Sequence, residues 1–280
     1  MRSIKLPHKK VLNITGYGAT GSSALTDLLS CFSECSNPGR NSEIWYVQEP
    51  NGLLDLAIQF LERPHRINSG YYLEKFISQI EPSRKMYREI FGSDFDLQVR
   101  LLINILSHGS YKTSWHQTFI DSGDLKRFLF FRLSFKFQYY VRQFLGTEYK
   151  FGSLPYSIVK SKLHSAKFGG VCRETFCNFN NAVFADLFTN PKILVLDQLF
   201  PTYVPMSYRN VFDENFLDRT INIVVRRDPR DLYILINTNL KNMSAIPYKI
   251  NDFINWYREM EVLAAKKDIL DKIRGHNVIS

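Results

Sequence analysis

The first regular pattern in the chain is Val11-Leu12-Asn13-Ile14, a β-branched and leucine run of strand length. Three glycines follow between Gly16 and Gly21, after which the apolar positions become Ala24, Leu25, Leu28, Leu29 and Phe32. A short apolar run that gives way across a glycine-rich turn to i, i+3, i+4 spacing predicts a buried strand, a tight turn and a helix. Asn37-Pro38-Gly39-Arg40-Asn41 reads as a loop. Ile44-Trp45-Tyr46-Val47 reads as a second strand or extended segment, bounded by Glu43 and by Glu49-Pro50-Asn51-Gly52. From Leu53 to about Phe144 the spacing is helical, and Tyr156 to Lys160 is another candidate extended segment. Gly169-Gly170 breaks the chain before a helix around Phe176 to Leu187. Pro191 to Gln198 and Ile221 to Arg227 read as buried strands, and Tyr248 to about Lys272 as a final helix. Each of these strands is followed by a connection long enough to cross over, which predicts that both run parallel to the first.

This order predicts an α/β fold, with a central, mostly parallel sheet flanked by helices in one domain over 1–280. Residues 53–165 form a large helical insertion in that reading, a wall over one end of the sheet that suits acceptor recognition. The turn after the first strand is a phosphate cradle. It leaves the first amides of the helix unpaired at the positive end of the helix dipole, which is an anion site and makes the fold P-loop type. Gly16-x-x-x-x-Gly21 has Walker A spacing, but Ser22 stands where an ATPase or kinase carries lysine.

Composition changes the picture in one respect. With 45% apolar content in 280 residues the chain can bury a substantial core, and its four cysteines lack zinc-ribbon spacing and are too few for a disulfide scaffold. Cys31 and Cys35 would lie one helical turn apart, as buried thiols. Val11 to Ile14 is too short for a signal h-region, and no segment approaches a membrane span, so the expected location is cytoplasmic. No metal site is expected.

The net charge of +9 is concentrated: Lys126 to Arg173 holds ten basic residues against one acidic residue, Glu148. Such a field points to an anionic partner. Within it, 125–145 interleaves eight phenylalanines and tyrosines with five basic residues. It reads either as a helix that meets a membrane surface or stacks on sugars or bases, or as a buried helix whose basic side chains snorkel. Nucleic acid ranks below the other partners, because no recognisable binding module accompanies the patch.

Arg226-Arg227-Asp228-Pro229-Arg230-Asp231 carries the second anion candidate. Asp228 suits an N-cap and Pro229 the first helical position, which makes Arg227 the last strand residue, at the carboxyl-end crevice beside the first turn. Arginine suits bidentate phosphate binding.

Together, Gly18-Ala19-Thr20-Gly21-Ser22-Ser23-Ala24-Leu25 and Val224 to Tyr233 resemble the nucleotide-binding elements of the sulfotransferases. These enzymes move a sulfuryl group from 3′-phosphoadenylyl sulfate (PAPS) to a hydroxyl or amine. Leu196-Asp197-Gln198-Leu199-Phe200-Pro201 is similar to a segment that often precedes the second element. The resemblance covers about the first 50 and the last 120 residues. It implies that Gly18, Ala19, Thr20, Gly21, Ser22 and Ser23 hold the 5′-phosphosulfate, and that Arg227, with Arg226, holds the 3′-phosphate. Three positions depart from the family: Ala19 where lysine or arginine is common, Leu235 where serine is usual, and Gln198 where lysine is common. Lys160, Lys162, Arg173 and Arg230 are candidate replacements for the missing loop cation.

Glu43 and Glu49 are the leading candidates for the base, with His164 and His116 behind them. The expected acceptor is a carbohydrate or lipid-linked glycan, with peripheral membrane contact through 125–145. Two rival readings stay open. One is a P-loop kinase or NTPase with Asp197 as the magnesium carboxylate; the other is a relative that binds a nucleotide or anionic partner without turnover.

Overall fold

The computed structural model describes residues 9–39, 43–113, 140, 161–188, 193–240 and 246–266. The chain is α/β. Strands β1 (Lys10–Gly16), β2 (Cys35–Ser36), β5 (Ile193–Asp197) and β6 (Thr220–Val225) form a parallel sheet in the order β2-β5-β1-β6. Helix α1 (Ser22–Leu29) crosses from β1 towards β2, and α5 (Arg173–Phe184) precedes β5. Helix α6 (Glu214–Arg219) leads into β6, and α7 (Pro229–Thr238) and α8 (Ile250–Ala264) follow it. Between β2 and α5 lie α2 (Leu53–Leu61), α3 (Asn68–Phe91), α4 (Phe95–Leu106) and an antiparallel pair of strands, β3 (Ser107–Thr113) and β4 (Ser161–Ala166). Among the described residues no helix is long and apolar enough to cross a membrane.

The sheet has a polar clamp at its centre. Asn13 on β1 is fully buried; its Nδ2 donates to the Phe200 carbonyl at 3.1 Å and to Asn222 Oδ1 at 2.5 Å, and its Oδ1 accepts from the Phe200 amide at 3.0 Å. One side chain therefore ties β1 to β6 and to the chain leaving β5. A buried amide is tolerated because its donors and acceptor find partners.

Four readings are corrected. Ile44-Trp45-Tyr46-Val47 is a turn, not a strand. The Ile44 amide donates to the Asp197 carbonyl at 2.9 Å, and Gln48 and Glu49 then fold back onto the Trp45 carbonyl at 3.0 and 2.9 Å. The cause is Tyr46, fully enclosed by edge contacts from Tyr87, Phe91, Phe95 and Phe179, with its hydroxyl donating to Asn180 Oδ1 at 2.7 Å. Tyr46 and its neighbours Ile44 and Val47 are all buried, which a one-sided strand cannot satisfy. Next, Cys35 is not on a helix with Cys31: α1 stops at Leu29, Cys35 pairs with Ile193 in the sheet, and Cys31 is exposed. Ser107–Thr113 is a strand where helix was expected, because Ser-His-Gly-Ser-Tyr-Lys-Thr carries no apolar helical stripe. Finally, β6 ends at Val225, so Arg226 and Arg227 lie beyond the strand. The aromatic and basic stretch at 125–145, apart from Tyr140, and His116 and Lys160 lie outside the described residues.

Candidate functional site

The crevice at the carboxyl ends of β5, β1 and β6 is built from three turns. The first, between β1 and α1, is held by backbone that side chains rarely adopt: φ is 92° at Gly18, 54° at Ala19 and 99° at Gly21. Gly16 has no room for a side chain, since a Cβ there would sit 2.0 Å from Thr20 Oγ1. Gly21 occupies the N-cap of α1 and offers no capping side chain, so the first helical amides stay open for an anion. The Thr20 hydroxyl is buried and has no hydrogen-bond partner among the described residues.

The outer side of this turn is apolar. Ala19 packs against a cluster of Leu232, Ile236, Ile246 and Phe253 from α7, α8 and the chain between them. Tyr17 closes the same side, with its ring edge-on to Tyr257 at 6.0 Å and its hydroxyl donating to Glu261 at 3.0 Å. Burial first, then the Glu261 bond, pushes that phenol up to about 12. Ala19 thus has a packing role in its place.

The second turn follows β5. Asp197 is 95% buried, from its 5% exposure, and its Oδ2 accepts from Ser23 Oγ at 2.9 Å; Oδ1 has no partner among the described residues. Gln198 has φ 60°, which turns its side chain back under the first loop. There its Oε1 accepts from Thr15 Oγ1 at 2.9 Å and its Nε2 donates to Ser22 Oγ at 3.2 Å. Gln48 Nε2 donates to the Gln198 carbonyl.

Beside these residues lies a cavity of about 430 Å³ whose wall includes Ser23 and Asp27 on α1, Glu43, Trp45, Tyr87 on α3, and Asp197. Glu43 is half-buried, and burial raises its pKa above the usual carboxylate value, with the Asp197 charge adding to the rise. Burial likewise raises Asp197, against the Ser23 bond and with help from Asp27.

The third turn follows β6, whose Val225 is in register with Gly16, so the Arg226-Arg227 turn leaves the sheet next to the first loop. Two of its arginines are committed. Arg226 lies 3.4 Å from Glu261, and Arg230 pairs with Asp228 at 2.7 Å, which brings that carboxylate down to about 2. Asp228 also caps α7, accepting from the Arg230 amide at 2.8 Å with Pro229 in the first turn. Arg227 is half-buried, and its guanidinium has no ion pair or hydrogen bond among the described residues; its carbonyl accepts from Tyr257 at 3.3 Å.

The expected residues therefore part company. Ser23 and Glu43 share the cavity wall beside the turn of Gly18 to Ser23, while Arg227, in the turn after β6 on the other side of β1, is not part of that wall. Glu49 does not line the cavity; its carboxylate accepts from Gln79 on α3. His164 is buried on β4, 3.0 Å from Glu74 and 3.3 Å from Ser107 Oγ, away from the cavity wall. Lys162 lies 3.8 Å from that same Glu74, and Arg173 is spent on the Arg209 and Phe212 carbonyls. Sequence reasoning missed Gln198 and Trp45 as members of the site and weighed Asp197 only as a metal carboxylate. For the first and third, the signal was their place at the carboxyl end of a buried parallel strand, where ligands bind. No family model, curated protein or solved structure matches this chain.

Proposed function

We propose that this chain is a P-loop-type enzyme that transfers a sulfuryl group from PAPS to a hydroxyl of an acceptor, a carbohydrate or lipid-linked glycan. In this reading 53–165 is an insertion that supplies the acceptor side. The observation that carries it is the carboxylate of Glu43, raised in pKa, in the same cavity wall as Ser23 of the anion-binding turn. A base poised above its ordinary pKa beside a phosphate cradle is what an in-line transfer to a hydroxyl needs. The open amides of Thr20 to Ser23 would hold the 5′-phosphosulfate, and the uncommitted guanidinium of Arg227 the 3′-phosphate. Glu43 takes the acceptor proton as the acceptor oxygen attacks sulfur; the bond from sulfur to the phosphate oxygen breaks, and adenosine 3′,5′-bisphosphate leaves. Ala19 supplies no cation to that oxygen, so charge stabilisation there rests on the loop amides.

A second reading is favoured by the 2.9 Å bond between Ser23 and Asp197. A hydroxyl at the second helical position and a carboxylate at the end of the neighbouring strand are the groups that hold magnesium in phosphoryl transfer. Against it, Ser22 takes the place of the lysine. Calorimetric titration decides: the first reading expects adenosine 3′,5′-bisphosphate to bind without magnesium and far more tightly than ADP. Magnesium-dependent ADP binding with no response to the bisphosphate would overturn it. Tight bisphosphate binding with no transfer to any glycan would leave a binding protein, as the apolar burial of Ala19 also allows.

A further inference from the structure

The ladder between β1 and β6 ends where Gly16 pairs with Val225, so the sheet does not fix the spacing of the two turns that follow these strands. The first of them also carries Ala19 in left-handed backbone, at φ 54°, which costs free energy unless its surroundings hold it there. Both needs are met from α8 and the residues ahead of it. Ile246 lies against Gly18, its Cδ1 3.2 Å from where a Cβ on that glycine would stand. Phe253, Tyr257 and Glu261 recur at every fourth position and so share one face of α8. Phe253 joins Leu232, Ile236 and Ile246 in the apolar cluster that receives Ala19. Tyr257 and Glu261 each reach both turns. The Tyr257 ring meets Tyr17 edge-on at 6.0 Å, and its hydroxyl donates to the Arg227 carbonyl at 3.3 Å. Glu261 divides its two oxygens: Oε1 accepts from the Tyr17 hydroxyl at 3.0 Å and Oε2 from Arg226 Nη1 at 3.4 Å.

Resting on the reading of these turns as the two ends of one nucleotide site, we propose that Glu261 is the positioning residue that sets their separation, so that the site favours a ligand with two phosphates held apart over a ligand with one. Two modest anion sites at a fixed distance act on such a ligand as one strong site, because the second contact is then intramolecular. Sites free to drift lose that gain, while each keeps its own affinity. Glu261 touches no ligand in this role. Its Tyr17 arm is the stronger of the two: burial first, then the Glu261 bond, pushes the phenol up to about 12, so it stays a donor at neutral pH. The Arg226 arm is exposed and contributes less.

The test compares the full chain with Glu261→Ala and Glu261→Gln in two measurements. In hydrogen exchange without ligand, Glu261→Ala should speed exchange about fivefold in peptides spanning both 16–23 and 226–231, the size of one hydrogen bond, and leave β5 unchanged. In calorimetry, the parent should bind adenosine 3′,5′-bisphosphate at least about 10²-fold more tightly than adenosine 5′-monophosphate or adenosine 3′-monophosphate. Glu261→Ala should lose about tenfold in bisphosphate affinity and stay within about twofold for each monophosphate. Glu261→Gln, which keeps an acceptor for Tyr17, should restore most of the loss. Unchanged exchange at either turn overturns the inference, as does an equal loss for the bisphosphate and the monophosphates. A parent that binds none of the three nucleotides, with exchange quickened at both turns in Glu261→Ala, upholds the positioning role and overturns the donor reading alone.

Discussion

Ser23 donates to Asp197 across 2.9 Å, joining the first turn of α1 to the end of β5 and leaving the other oxygen of a buried carboxylate without a hydrogen-bond partner among the described residues. Because burial lifts the folded-state pKa of Asp197 above its unfolded value, ionising it works against folding as pH rises through that raised pKa. Asp197→Asn keeps an acceptor for Ser23 and removes the charge. Its unfolding free energy in urea should exceed that of the parent at pH 7.5, with the gain shrinking towards pH 4. Ser23→Ala strips the remaining donor and should cost about 1–3 kcal/mol at pH 7.

Glu43→Gln should leave bisphosphate affinity intact and lower the transfer rate about 10²- to 10⁴-fold, the usual size of general-base catalysis. In the parent, kcat/KM should rise with pH through a pKa above the ordinary glutamate value, since only the ionised carboxylate accepts the proton and burial has moved that point upward. A profile flat between pH 5 and 7, with Glu43→Gln fully active, would remove Glu43 from the mechanism.

Arg227 and Arg226 are adjacent, but their circumstances differ. Arg227→Ala should weaken adenosine 3′,5′-bisphosphate binding by about 10- to 150-fold, the value of a charge-assisted hydrogen bond. Arg226 is exposed and already 3.4 Å from Glu261, so Arg226→Ala should change affinity only a few-fold. Calorimetry on the two variants measures the contrast; a larger loss at Arg226 would reverse their roles.

Gly16→Ala forces a methyl into Thr20 Oγ1, 2.0 Å away, and towards the Val225 carbonyl at 3.1 Å. Overpacking of this kind costs about 1–3 kcal/mol. Thr20→Ala removes the clashing hydroxyl, so the double variant should recover most of the lost stability, a positive coupling in a double-mutant cycle. Strict additivity in chemical unfolding would mean that the strain comes from elsewhere.

His164 titrates below its ordinary value, chiefly through burial and further through Lys162, against the pull of Glu74. A depressed histidine pKa means the unfolded chain binds the extra proton first. Stability should therefore be full above about pH 6.5 and fall as pH drops through the folded pKa. The thermal midpoint should decline between pH 7.5 and 5 in the parent, and His164→Gln should flatten that decline.

Much of the crevice was legible from the chain because the signals are local. The run Val11 to Ile14, the glycines, and the Asp228-Pro229 cap each act within a few residues, and they settle the strand, the turn and the start of α7. Parallel pairing followed from connection lengths. The brevity of β2 and the turn at Ile44 to Val47 were not legible, because the residues that oppose them are distant in sequence.

What the sequence by itself determined was a parallel α/β core with a glycine-rich turn after its first strand and an arginine just past another. Only the tertiary structure decided which carboxylate accompanies that turn. Glu43 and Glu49 stand six residues apart and looked equivalent. Tyr46 between them is held by rings from α3, α4 and α5, and that long-range packing bends the segment into a turn. Glu43 is thereby left with Asp197, while Glu49 is turned to Gln79 on α3.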